Sequence, residues 1–142
     1  MNLVERLDLG PVLCAEGYLF EMEKRGYLQA GAFVPEVVLE HPEVVTQLHR
    51  EFIRAGSDVV QAFTYYGHRE KLRLIGKEEL LEPLQKNALK IAKDAANEFP
   101  ELDLMIAEMW RILIFMILLI VNLLLKSKRC MRNKSLGPKK RV

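Results

Sequence analysis

The sequence predicts an α/β fold around a parallel sheet, on two observations. Three short apolar runs, PVLCA (Pro11–Ala15), DVVQAF (Asp58–Phe63) and LDLMIA (Leu102–Ala107), read as strands. Segments of helical periodicity separate them, which gives the order strand, helix, strand, helix, strand.

The first strand follows a Gly-Pro break and runs into Glu16-Gly17. YLFEMEKRGY then suggests a short helix that stops at Gly26, and GYLQAGAFVP reads as loop, punctuated by Gly31 and Pro35. A helix is predicted over 41–55. Pro42 suits its first position because the missing N–H has no intrahelical partner there anyway. Val44, Val45, Leu48, Phe52 and Ile53 recur on one side, and Gly56 supplies the stop. The second strand ends in Thr64-Tyr65-Tyr66-Gly67. A longer helix over 77–98 takes its apolar face from Leu80, Leu81, Leu84, Ala88, Ile91, Ala92 and Ala95, with Pro83 in its first turns. The third strand delivers Glu108 to its end.

The totals bound the answer only loosely. A chain of 142 residues holds one modest domain, and 50% apolar with 28% charged residues is ordinary for a globular protein. The net charge of +2 conceals a division. Residues 1–125 carry 13 Lys and Arg against 19 Asp and Glu, whereas 126–142 carry 8 basic residues and no acid. Positive charge confined to one end argues against nucleic-acid binding; the terminal PKKRV has the composition of a nuclear-import signal and nothing more. Cys14 and Cys130 lie far apart in unlike contexts, which gives neither a disulfide framework nor a zinc pattern and points to a reduced, intracellular setting. The opening MNLVERLDLG is too charged for a secretory leader. Phosphate-binding glycine loops of the GxGxxG or GxxxxGK type are absent.

Parallel α/β folds gather their chemistry at the carboxyl ends of the strands. That rule selects Cys14-Ala15-Glu16-Gly17, Thr64-Tyr65-Tyr66-Gly67-His68 and Glu108-Met109-Trp110. Two carboxylates and a tyrosine pair at one rim suit a small polar or cationic ligand, with ring faces for a methylammonium group. The plainer readings are that both acids are caps or solvated and that the tyrosines are packing. His41 and His49 read as structural, and His68 as the better candidate of the three. None forms metal-ligand spacing with its neighbours.

FEMEKRGYLQAG followed by VPEVVLEHPEVVTQLHREFIRAGSDVVQAFTYYGHREKL resembles the betaine–homocysteine branch of the homocysteine S-methyltransferase family, over roughly Leu3 to Ala96. The resemblance implies a (β/α)8 TIM barrel of which this chain holds the first βα units. It implies methyl transfer from betaine or a similar donor to homocysteine, forming methionine, with zinc bound by three cysteines holding the sulfur as thiolate. The family's first strand ends in Asp-Gly-Gly, where this chain has Ala15-Glu16-Gly17, so Glu16 stands one place along from the family's aspartate. Tyr66 matches the tyrosine near the methyl donor, Ala62 replaces a threonine, and Phe33 aligns with a donor-enclosing tryptophan. LDLMIAE resembles a later family strand whose glutamate binds the amino acid, which assigns Glu108 to homocysteine.

In the family a further strand and helix precede that later strand. The resemblance therefore implies a join across missing family sequence at Phe99–Glu101, and it is expected to stop near Trp110. The zinc cysteines belong to the family's C-terminal half, so this chain is expected to lack metal and to be inactive. Three parts follow: 1–110, a partial homocysteine-binding domain; 111–125, a hydrophobic helix and candidate membrane span; and 126–142, a basic tail. The family implies a cytoplasmic setting with homocysteine and a methyl donor as partners, and full-length subunits as further ones. The alternative is a non-catalytic protein tethered to a membrane through 109–125.

Overall fold

A computed structural model describes residues 2–29 and 36–108. Met1–Met109 form one compact unit. The hydrophobic segment, the basic tail and Phe33 lie outside the described residues. Among those described, no helix is long and apolar enough to cross a membrane.

The chain opens with α1 (Leu3–Leu9), held by a capping box: the Asn2 side chain accepts from the Glu5 N–H at 2.9 Å, and the Asn2 N–H donates to Glu5 at 3.0 Å. Then come α2 (Tyr18–Lys24), α3 (Val37–Glu40) and α4 (Pro42–Arg54). Pro42 starts α4 as expected, and Gly56, at φ 99°, supplies the left-handed turn after it. Strand β1 (Val59–Gln61) follows, then α5 (Arg69–Leu74), a 3-10 turn (Glu78–Leu80), α6 (Leu81–Asn97) and β2 (Met105–Ala107).

β1 and β2 pair in parallel, Val59 opposite Met105 and Gln61 opposite Ala107. On the other side of β1, Cys14 forms a single parallel bridge with Val59. The three extended segments thus lie in chain order with β1 central. Val59 and Val60 are buried, and Val60 shares the core with the apolar faces of α4 (Val45, Leu48) and α6 (Leu84, Ala88, Ile91). Burial of this kind stabilises by about 1.5–3 kcal/mol per large side chain. Helices α4 and α6 pack together. The Asn87 side chain donates to the Val38 carbonyl, and Arg50 grips Glu98 through two 2.7 Å bonds.

Both outer segments depart from expectation. Pro11–Ala15 is a one-residue bridge with Leu13 and Cys14 exposed, and only Ala15 is buried. Leu102–Ala107 shortens to three residues, with Ile106 37% exposed. Among the described residues each has a partner on one side only, so neither gains there the two-sided burial that makes a long apolar strand. The predicted 77–98 helix begins at Leu81, because the chain before it takes the tighter 3-10 turn. Helices α1, α3 and α5 were not anticipated.

Candidate functional site

The carboxyl ends of the three extended segments share one edge of the sheet. The Ala62 N–H donates to the Ala107 carbonyl at 2.9 Å, so Glu108 follows directly beside the end of β1. On the opposite flank the Ala15 N–H donates to Val59 at 2.8 Å, and the exposed Glu16 comes next. Gly17, at φ 84°, then turns the chain into α2. Glu16 and Glu108 thus rise from the two flanks of β1, two strand spacings or ~10 Å apart by ordinary sheet dimensions. Glu108 is half-buried.

Between them stands the loop after β1. The Gly67 N–H donates to the Thr64 carbonyl at 2.9 Å, closing a tight turn, and the Gln85 side chain on α6 donates to the Gly67 carbonyl. A Cβ at Gly67 would come within 3.1 Å of the Thr64 carbonyl oxygen, so the turn leaves little room there. Tyr66 occupies the third position at φ 59°, where glycine or asparagine is the usual choice. A tyrosine held there costs about 1–3 kcal/mol of backbone strain, which the tethers on either side maintain. Its ring stacks on Tyr65 with centroids 4.2 Å apart, and the Lys71 ammonium sits over it at 4.3 Å. A hydrogen bond to Tyr66, the largest influence, holds the Tyr65 phenol above its usual pKa. Beneath the loop, the Thr64 hydroxyl is buried without a partner among the described residues.

Glu16, Gly17, Thr64, Tyr66 and Glu108 stand at this rim as the sequence predicts, whereas Lys71 is not predicted there. Lys71 reaches the ring only because Tyr66 adopts a left-handed turn, which no periodicity reveals. His68 is the N-cap of α5: its Nδ1 accepts from the Lys71 N–H at 3.4 Å, a role that needs the neutral ring. His49, expected to be structural, is fully buried. Its Nδ1 lies 2.9 Å from the Tyr18 hydroxyl, Nε2 has no partner among the described residues, and burial lowers its pKa to about 4. Burial likewise pushes the Tyr18 phenol upward.

Parallel βα units with acids and aromatics at the carboxyl ends of the strands define a class, an α/β protein of the kind whose ligand sites lie at that rim. The family model for homocysteine S-methyltransferase matches residues 17–121, and the chain belongs to this family. The match runs past Trp110, where the resemblance was expected to end. Betaine–homocysteine S-methyltransferase 1 of Xenopus tropicalis is 46% identical over 102 residues, covering 68% of this chain and 25% of that protein. The Danio rerio enzyme is 46% identical over 100 residues with the same coverage. The chain thus spans about a quarter of the length of these relatives. The crystal structure of the homocysteine methyltransferase MmuM from Escherichia coli, metallated form, superposes with a TM-score of 0.63 at 23% identity, over 75% of this chain and 40% of that one.

The zinc that the family implies does not fit the described residues. No three His, Cys, Asp or Glu among them are grouped to hold a metal. The one described cysteine has its thiol pushed up, first by burial and then by the Glu16 and Asp58 charges.

Proposed function

We propose that residues 2–108 are the first βα units of a (β/α)8 barrel and form the substrate-holding rim of a homocysteine S-methyltransferase site. Glu16 and Glu108 take the ammonium of homocysteine, with Gly17 giving the backbone room beside it. Tyr66, with Phe33, lines the side of the methyl donor, betaine or a similar onium compound. The observation that supports this reading is the convergence of Glu16, the Tyr66 loop and Glu108 at one edge of three adjacent parallel segments.

What these residues can do is bind and orient. Two carboxylates attract one ammonium, and an aromatic face attracts a methylated cation, which together would bring sulfur and methyl carbon to the same rim. Methyl transfer also requires homocysteine as thiolate, because the thiol is the weaker nucleophile. Holding and orienting substrate is the part of that reaction proposed for the described residues. A cytoplasmic setting, where homocysteine is met in reduced form, accompanies this reading.

Titration of the 142-residue chain with L-homocysteine tests it calorimetrically. Binding is expected, and Glu108→Gln should weaken it about tenfold, the loss of one charge-assisted hydrogen bond. If homocysteine gives no heat, or if Glu16→Gln and Glu108→Gln both bind like the parent, the reading fails.

A further inference from the structure

We infer that Lys71 is a specificity-determining residue of the donor side: it occupies the cation site on Tyr66 and yields it to a methylated onium that carries its own carboxylate. This rests on the donor reading of Tyr66 given above and adds to it a residue and a selection rule.

The geometry is specific. The Tyr66 ring has Tyr65 stacked at 4.2 Å and the Lys71 ammonium over it at 4.3 Å. Tyr65 and the Lys71 ammonium thus both crowd the Tyr66 ring. Tyr65 is the adjoining residue in a tight turn and cannot withdraw. Lys71 stands on a flexible four-carbon stem and can. Its backbone is fixed, since its N–H is bonded to the His68 cap at the start of α5, so the side chain swings about a set point. Among the described residues the Lys71 ammonium has no carboxylate partner.

An incoming onium group must therefore displace a like charge from the ring. A simple cation gains the ring and leaves Lys71 beside it, with the repulsion uncompensated. A zwitterionic donor offers its carboxylate to the displaced ammonium and keeps it within reach. The same lysine thus penalises one class of ligand and recruits the other, which is discrimination through a repulsive element as well as an attractive one.

The experiment uses the whole 142-residue chain, glycine betaine as the zwitterionic probe and tetramethylammonium as the simple cation. With 13C-labelled lysine, the Lys71 ε-CH2 resonance should lie upfield in the free protein, shifted by the Tyr66 ring. Glycine betaine should move it toward the ordinary lysine position. Glycine betaine should bind more tightly than tetramethylammonium. In Lys71→Met the cation should gain about three- to fivefold and glycine betaine should lose about as much, the scale of one exposed cation–π contact.

Equal affinities for the two probes in Lys71→Met and parent would overturn the role of Lys71; if Tyr66→Ala abolishes binding in the same series, the donor site itself survives. An unshifted Lys71 resonance in the parent overturns it without reference to any variant. If neither probe binds the parent or Lys71→Met, the donor reading of Tyr66 fails and this inference fails with it.

Discussion

The two ends of the sheet are built on opposite terms. At the amino end Arg6, on α1, bonds Asp58 at 2.6 Å and donates to the Asp103 carbonyl. The other Asp58 oxygen accepts the Leu13 N–H at 2.9 Å. One arginine and one aspartate therefore tie together the entries to all three extended segments, and both Asp58 carboxylate oxygens have partners. At the carboxyl end Tyr66 is strained, and among the described residues Glu16 and Glu108 are unpaired with bases and the Thr64 hydroxyl has no partner. The difference teaches that interactions which hold the fold and groups free to meet a ligand have been separated by the length of a strand, as is usual in parallel α/β proteins.

The largest expected effect comes from breaking the satisfied end. Asp58→Ala removes the partner of a half-buried arginine and leaves the Leu13 N–H unmet; chemical denaturation should show a loss of about 3 kcal/mol. A comparable effect comes from acid. His49 titrates at about 4 in the fold against an ordinary 6.5, so folding favours the neutral ring. Its contribution is complete above pH 6.5 and is lost as pH falls toward 4, about 3 kcal/mol in all at 1.4 kcal/mol per pH unit. A stability–pH curve for the parent should fall across that window, and His49→Gln should flatten it. If parent and variant fall alike, the burial of His49 does not govern the response.

Smaller is Tyr18→Phe, which removes the hydroxyl beside His49 Nδ1 and should cost about 1 kcal/mol in the same denaturation experiment. Smallest are Glu16→Gln and Glu108→Gln, which should change stability by less than about 0.5 kcal/mol. A loss as large as that of Asp58→Ala would erase the contrast between the two ends, because it would make the rim acids structural.

The sequence made α4 and α6 legible because their apolar residues recur over several turns and Pro42 and Gly56 mark the bounds. The parallel arrangement was legible from the order of elements. Strand lengths were not: Leu13 and Ile106 are as apolar as Val60, and only their place at the edge of the sheet exposes them. Helix α1 carried a readable signal, the Asn2–Glu5 capping box, in a stretch considered only as a leader. Helix α5 is six residues long, too short for a period to show. At the rim, the ends of strands could be found from the runs that precede them, so Glu16 and Glu108 were legible. Lys71 was not, since its meeting with Tyr66 depends on a turn conformation that a tyrosine rarely adopts.

The strands' arrangement in chain order has a consequence for how the molecule is assembled. β1 finds the Leu13–Cys14 segment already synthesised, and β2 adds to β1 without passing between earlier elements. Each unit can therefore be laid down on its predecessor as it leaves the ribosome. A sheet built this way grows like a wall, course by course, and a change in its last course leaves the earlier pairings intact.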